Sequence, residues 1–204
     1  MKKIIKTSSK IKKYLSDSDT VLKNLTERIG DIRINLMTDY FESLISSIID
    51  QQLSGKAAAT IEKRFINITG DLNPKKIIKI PDEIIRQAGV SYSKIKYIKN
   101  LCTAINEGNI NMNNFSSMEN IEIIKVLTSV KGIGNWTAEM FLIFSLGRED
   151  IFSYGDGGLQ RSINFLYNHK PDKKFTEKIS LNWKPYRTYA SLYLWEAVNR
   201  KIAV

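Results

Sequence analysis

Apolar residues recur at intervals of three and four along most of this chain, which places them on one face of an α-helix. Two clear stripes cover 21–29 and 95–105. Ser18 and Asp19 can cap the helix that carries the first stripe, and Gly30 closes it. No stretch alternates apolar and polar residues convincingly, as a half-buried strand would. The pattern therefore predicts an all-α protein of about ten helices.

Capping signals place the ends of two further helices. Ser54 can cap a helix that ends at Gly70. The side chains expected to point inward from this helix are those of Ala57, Ala58, Ile61, Phe65 and Ile68. The last long helix is predicted to begin at Pro185, a good first-turn residue, and to run to about Arg200.

A Gly-Ile-Gly turn at 132–134 lies between predicted helices near 118–128 and 135–146. Glycine accepts positive φ at little cost, so the chain can reverse sharply there. Backbone N–H groups at the start of the following helix can then bind a phosphate. Asp156 follows in the Gly-rich loop 155–158, and a phosphate site followed by a positioned carboxylate indicates chemistry on DNA or RNA. A simpler interpretation stays open, in which Asp156 only caps the next helix.

Composition narrows the class of partner and the kind of site. The chain has 204 residues and a net charge of +10, which favours a polyanionic partner, although a lysine-rich composition alone would give the same charge. Cys102 is the only cysteine, so neither a disulfide nor a four-cysteine iron–sulfur cluster is expected. The longest apolar run, 140–146, is too short to span a bilayer, and 1–13 lacks the apolar segment of a signal peptide. We expect a cytoplasmic protein with no membrane contact.

Four ordered stretches make the chain resemble the HhH-GPD DNA glycosylases, and the DNA-3-methyladenine glycosylase II (alkylbase) branch most of all. These stretches are 47–54, 88–94, 129–163 and 183–190. The resemblance runs from about Ser18 to Ala197 and implies one domain over 1–204 with two helical lobes. The lobes expected from it are about 35–130, and about 1–34 together with 131–204, with a helix-hairpin-helix motif at 128–137.

The resemblance implies that Asp156 is the catalytic residue. Its carboxylate would stabilise positive charge on the deoxyribose or orient the attacking water. Members of the family often carry a proline two or three residues before this aspartate, where this chain has Ser153, Tyr154 and Gly155. Trp136 stands where relatives that also cut the strand carry a lysine nucleophile. The nearby amine of Lys131 more plausibly meets phosphate, so a monofunctional enzyme is expected.

The resemblance also implies a base pocket, a wedge and a phosphate grip. Aromatic walls attract cationic alkylated purines, although each aromatic residue could equally be ordinary helix packing. The candidates for the pocket are Trp136, Met140, Tyr154, Trp183 and Tyr189. Gln52, or else Leu53, would fill the gap that the flipped nucleotide leaves, unless this segment is merely the capping turn headed by Ser54. The residues expected at the DNA backbone are Lys131, Gly132, Gly134, Trp136 and Thr137.

No cofactor is expected to be required. In relatives, backbone carbonyls at the positions of Thr128, Val130 and Ile133 bind a monovalent cation, so the resemblance implies a possible Na⁺ or K⁺ here. The function predicted is excision of alkylated purines such as 3-methyladenine from damaged double-stranded DNA by a monomer. Two alternatives are a glycosylase for oxidised or deaminated bases, and a noncatalytic helix-hairpin-helix module.

Overall fold

The structure, a computed structural model, describes residues 4–53, 55–170 and 172–202. The chain divides into two compact units. We call Met37–Phe141 the central unit, and Met1–Leu36 with Leu142–Val204 the terminal unit. Helices dominate both, so the predicted all-α class is confirmed.

The elements of the described residues follow one another from a short strand to a long final helix. In chain order they are β1 (Ile4–Lys6), α1 (Ser9–Ser18), α2 (Thr20–Ile29), β2 (Arg33–Asn35), α3 (Tyr40–Asp50), α4 (Gly55–Thr69), α5 (Pro74–Ile77), α6 (Asp82–Arg86), α7 (Tyr92–Asn106), a 3-10 helix (Met112–Asn114), α8 (Asn120–Thr128), α9 (Asn135–Phe144), α10 (Gly157–Leu166), α11 (Lys173–Leu181) and α12 (Arg187–Asn199). In the described part of the chain, none of these helices combines the length and apolar character needed to cross a bilayer.

The second boundary between the units falls within α9, between Phe141 and Leu142, and not near residue 130 as expected. The reason is the packing of Phe141, whose ring makes edge-to-face contacts with Phe115 and Tyr40 in the central unit. The hairpin between α8 and α9 therefore belongs wholly to the central unit.

The apolar stripes of the central unit form its core. α3 buries Phe41, Leu44, Ile45, Ile48 and Ile49, and α7 buries Ile95, Ile98, Leu101 and Cys102, which belong to the predicted 95–105 stripe. In α4, Ala58 and Phe65 are buried, whereas Ala57 is exposed and was wrongly expected to point inward. The predicted cap at Ser54 lies outside the described residues.

The core of the terminal unit is built around Trp183 and Tyr193, which are fully buried among the leucines of α1 and α2. Asp19 caps α2 as predicted, because its Oδ1 accepts from the backbone N–H groups of Val21 at 2.8 Å and Leu22 at 3.1 Å.

Two features of the terminal unit differ from the prediction. β1 and β2 pair antiparallel, with Ile5 opposite Ile34, although no strand was expected. Strands of three residues are too short for alternation to be recognised. The last helix begins at Arg187 and not at Pro185, because the chain makes turns from 182 to 185 in which Tyr186 N–H donates to the Trp183 carbonyl at 2.7 Å.

Candidate functional site

Asp156 is the N-cap residue of α10. Its backbone is extended, and its Oδ1 accepts from the Leu159 N–H at 2.8 Å, so Asp156 caps α10, and its catalytic role stays a prediction. The residue is only 8% exposed. A carboxylate that is buried and bound in this way has a fixed direction, which a solvated surface aspartate lacks.

A second donor to Asp156 comes from α12. Trp195 Nε1–H donates to the same Oδ1 at 2.9 Å. Gly158 makes this arrangement possible, because a Cβ there would lie 3.0 Å from Asp156 Oδ1 and 3.1 Å from Trp195 Cδ1. The sequence did not point to Trp195, since a hydrogen bond between residues 39 apart leaves no local pattern. The available signal was general: a half-buried indole N–H needs an acceptor.

Turn hydrogen bonds shape the loop before Asp156, where the family's proline is missing. Asp156 N–H donates to the Ser153 carbonyl at 3.1 Å, and Gln160 Nε2 donates to the Tyr154 carbonyl at 3.0 Å. Tyr154 is half-buried, its ring lies 5.0 Å from that of Phe152, and its hydroxyl shares a hydrogen bond with Ser180. These contacts fix the loop without the rigidity of proline.

The Trp183–Ala190 stretch fastens the chain segment that leads to this loop. Arg187 makes a two-pronged ion pair with Asp150, with Nε to Oδ1 at 2.7 Å and the other guanidinium N–H to Oδ2 at 2.9 Å. Thr188 Oγ1 accepts from the Ile151 N–H at 3.0 Å and donates to the Arg148 carbonyl at 2.6 Å. Within the terminal unit, α12 therefore positions both the approach to the loop and the carboxylate itself.

Two of the predicted pocket residues belong to the core of the terminal unit. Trp183 is 0% exposed and its Nε1–H donates to Asp19 Oδ2 at 3.1 Å. Tyr189 is buried and its hydroxyl donates to Glu149 at 2.8 Å. Trp183 presents no accessible surface and Tyr189 very little on which a base could stack, and the pocket role of both stays a prediction. Tyr154 keeps some exposed surface.

The hairpin of the central unit turns tightly between α8 and α9. Gly132 has φ +112°, and a Cβ there would overlap the ring of Tyr97, so only glycine fits. Two side chains secure the turn through its carbonyls: Gln51 Nε2 donates to Gly132 O and Asn100 Nδ2 donates to Lys131 O, each at 3.1 Å. The reversal predicted from the two glycines is present, whereas the two amide side chains that secure it were missed.

The start of α9 presents both exposed and buried candidates. Trp136 is 39% exposed and lies in the first turn of the helix, while Lys131 and Gly134 are exposed in the hairpin. Thr137 is buried, so contact with a backbone phosphate could come only from its main chain. Met140 is also buried, which leaves little of it to form a pocket wall.

The tip predicted to carry the wedge follows α3. Gln52 is exposed and has φ +60°, and Leu53 is 40% exposed. Asp50 O accepts from the Leu53 N–H at 3.0 Å, which makes residues 50–53 a tight turn. Both side chains are thus available at a protrusion, and the wedge role stays a prediction.

The carbonyls expected to bind a cation lie at the C-terminal end of α8 and in the hairpin. Val130 O accepts from the Ile133 N–H at 3.0 Å, and a carbonyl oxygen with two lone pairs can also face an ion. Among the described residues, no group of three or more His, Cys, Asp or Glu side chains is placed to bind a metal.

Comparisons with a family profile and with known proteins point to the same family. The sequence profile described as HhH-GPD superfamily base excision DNA repair protein matches residues 45–185. The chain is 34% identical to DNA-3-methyladenine glycosylase 1 of Schizosaccharomyces pombe, over 95% of this chain and 89% of that protein. It is 31% identical to a DNA-3-methyladenine glycosylase of Saccharomyces cerevisiae, over 79% of this chain and 67% of that protein.

Solved structures agree with the sequence comparisons. A DNA-3-methyladenine glycosidase from Bacillus halodurans superposes with a TM-score of 0.85 at 40% identity, covering 96% of this chain and 92% of the other. A 3-methyladenine DNA glycosylase from Schizosaccharomyces pombe, solved in complex with abasic DNA, gives a TM-score of 0.86 at 34% identity, over 94% of this chain and 97% of that one.

Proposed function

This chain belongs to the HhH-GPD superfamily of base excision DNA repair proteins, and from that membership we propose that it is a monofunctional DNA N-glycosylase. Its substrate is double-stranded DNA that carries alkylated purines such as 3-methyladenine, and its products are the free base and an abasic site. Relatives that match over nearly their full length and are named for this activity support the substrate class. We propose that it acts as a monomer on intracellular DNA.

The observation that carries the proposal is the geometry of Asp156. Its buried carboxylate is bound through Oδ1 by the Leu159 N–H and the Trp195 indole, at 2.8 and 2.9 Å. Donors and acceptors that are already in place need no rearrangement when charge develops in the transition state. A solvent-exposed capping aspartate would have neither the burial nor the second donor.

The reaction follows from this arrangement. When the bond between C1′ and the purine nitrogen breaks, its electron pair leaves with the base and positive charge develops on the deoxyribose. Asp156 stabilises that charge, and water then forms the new bond to C1′, losing its proton to the carboxylate or to solvent. A purine nucleotide alkylated at N3 or N7 already carries a positive charge on the base, so the base leaves as a neutral molecule without needing a general acid.

The damaged nucleotide must first leave the helix. Flipping costs a few kcal/mol of lost stacking and pairing, and a side chain in the vacated space offsets part of that cost. Gln52 and Leu53, exposed on the 50–53 tip, are proposed for this role. Trp136 offers an accessible aromatic face to the extruded base.

Release of free base tests the function directly. Purified protein is incubated with duplexes that carry methylated, deaminated or oxidised bases, and the released bases are separated by chromatography. We expect methylated purines to be released first. Preferential release of oxidised or deaminated bases would show that the substrate class is not alkylated purines. If no base were released from any duplex, the protein would be a noncatalytic DNA-binding module.

Trap experiments test whether the enzyme is monofunctional. Trp136 has no amine, so no Schiff base can form with the sugar at that position. With borohydride present, we expect no covalent protein–DNA adduct, and abasic strands should stay intact until alkali is added. A trapped adduct would show that an amine such as Lys131 acts as a nucleophile; the variant Lys131→Gln would then abolish it.

A bound Na⁺ or K⁺ is a further part of the proposal. The oxygens of Thr128, Val130 and Ile133 are backbone carbonyls, the hard donors that such cations prefer, and helix C-termini attract positive charge. The ion would supply positive charge beside a DNA phosphate. The backbone N–H groups of Gly132 and Gly134 would bind the same strand without reading its sequence.

A further inference from the structure

We propose that Lys94 and Gln51 form a brace that holds the 50–53 tip in the shape needed to enter DNA, which makes Lys94 a positioning residue for base flipping. The inference rests on the proposed function. It also gives a role to the Ala88–Lys94 stretch, which belongs to the family pattern and contributes nothing to the chemistry at Asp156.

The tip needs support because of its own backbone. The last carbonyls of a helix have no intrahelical partner, and here α3 ends directly at the tip. Gln52 has φ +60°, a conformation that a residue with a side chain adopts only when its surroundings impose it. An unsupported tip would therefore occupy several conformations.

Lys94 supplies that support from α7. Its ammonium group donates to Ile49 O and to Gln51 O, both at 2.7 Å, and so joins the last turn of α3 to the residue that follows the helix. A cation at a helix C-terminus also interacts favourably with the helix dipole. Partial burial lowers the pKa of Lys94, against the opposing effect of Asp50.

The Ala88–Lys94 stretch fixes the position from which Lys94 reaches the tip. Ala88 and Val90 are buried, and Gly89 turns the chain at φ +96°, where a Cβ would lie 3.2 Å from Ile61. Ser91 then caps α7, with its Oγ accepting from the Lys94 N–H at 3.3 Å. The turn at Gly89 and the cap at Ser91 thus set where α7 begins, and with it the position from which Lys94 reaches the tip.

Gln51 extends the brace to the hairpin. Its carbonyl accepts from Lys94, while its side-chain amide donates to Gly132 O at 3.1 Å. The Gly132 backbone is itself confined by Tyr97. The tip proposed to open the base pair and the hairpin proposed to bind the phosphates are therefore joined by one hydrogen bond within the central unit, and Lys94 is linked to the hairpin through Gln51.

The experiment measures single-turnover excision of 7-methylguanine placed opposite cytosine or in a mismatch opposite thymine. Lys94→Met removes the ammonium group and keeps most of the stem, and Lys94→Arg restores donors and charge. Lys96→Met is the matched control, because it removes the same charge from an exposed position of the same helix. Gln51→Leu cuts only the link to the hairpin.

A loose tip reduces the fraction of enzyme that can open a paired base, so the loss should depend on how firmly the base is paired. We expect Lys94→Met to lose about tenfold on the paired duplex and at most about twofold on the mismatch, with Lys94→Arg recovering most of the rate. Lys96→Met should match the wild type on both. Equal loss on the two duplexes, or no difference between Lys94→Met and Lys96→Met, would overturn the brace.

Two further measurements keep the outcomes separate. If thermal melting shows that Lys94→Met does not fold, Gln51→Leu decides: a loss larger on the paired duplex supports the brace, and an equal loss rejects it. If the wild type releases neither 7-methylguanine nor 3-methyladenine, the proposed function fails. A 2-aminopurine placed beside an abasic-site analogue then still reports, through its fluorescence, how fast the protein opens the duplex at that site. Lys94→Met must slow this opening if the brace exists.

Discussion

Two indole N–H groups of the terminal unit donate to carboxylates in different settings. Trp195 donates to Asp156 in the Gly-rich loop, whereas the fully buried Trp183 donates to the half-buried Asp19 at the start of α2. Asp19 Oδ2 also accepts from the Tyr167 hydroxyl at 2.7 Å while Oδ1 caps α2, so it joins α2, α10 and the segment before α12. We therefore expect the indole–carboxylate hydrogen bond to support catalysis at Asp156, and the equivalent bond to support fold stability at Asp19.

The paired variants Trp195→Phe and Trp183→Phe test this division, since each removes one indole N–H. Losing a hydrogen bond to a charged group costs about 1.5–3 kcal/mol. For Trp195→Phe we expect single-turnover excision to fall about 10- to 100-fold. Trp183→Phe should instead lower the melting temperature by roughly 3–10 °C and leave excision within about twofold of the wild type. The opposite pattern would assign Trp195 to packing alone.

The variant Asp156→Asn tests the carboxylate itself. Asparagine keeps an oxygen for the Leu159 N–H but loses the charge. We expect excision to drop by at least about 10²-fold, with the melting temperature changed by only a few degrees and affinity for abasic-analogue DNA nearly preserved. Neutral hypoxanthine should suffer more than cationic 7-methylguanine, which leaves more readily by itself. Normal rates on both lesions would reduce Asp156 to a helix cap.

At the scale of elements, the hairpin depends on one of its two glycines. Gly132 has φ +112° and faces Tyr97, whereas a Cβ at Gly134 would meet nothing within 4 Å. We expect Gly132→Ala to cost about 2–3 kcal/mol of folding free energy, to lower the melting temperature by roughly 5–10 °C and to weaken DNA binding. Gly134→Ala keeps the backbone N–H and should fold and bind DNA like the wild type. Equal melting temperatures for the two variants would contradict this account.

The elements also show what the sequence could predict. The cap at Asp19 and the helix end at Gly30 were identified correctly because caps and helix ends depend on residues within one turn. The start of the last helix was misplaced at Pro185, since a first-turn proline and a turn proline look alike in sequence.

The missed features are those that join distant segments. Neither the Trp195 hydrogen bond to Asp156 nor the Lys94 hydrogen bonds to the end of α3 produce a periodic pattern in the sequence. The family resemblance identified the segments involved but not which residues contact each other. Burial of Trp183 was missed for a related reason: an aromatic residue at helical spacing suits a core and a pocket equally well.

At the scale of the whole molecule, the net positive charge is expected to contribute to DNA binding beyond any single contact. The chain carries 31 Lys and Arg residues against 21 Asp and Glu. Some of these cations are committed to ion pairs, such as Lys76 with Asp71 at 2.9 Å, whereas Lys131 is exposed in the hairpin. Cations that meet phosphate release counterions, so binding should weaken as salt rises.

Whether contacts between cations and phosphates drive binding is tested by measuring affinity for undamaged duplex DNA by fluorescence anisotropy at several salt concentrations. If about five phosphates are contacted, the plot of log affinity against log salt should have a slope of about −4 to −5. Lys131→Met should make that slope shallower by about 0.9, because one phosphate contact is lost. Lys76→Met removes the same charge from a residue already paired with Asp71, so its slope should equal that of the wild type. A wild-type affinity independent of salt would exclude a backbone grip, and equal shifts in both variants would mean that net charge, and not the hairpin, determines the binding.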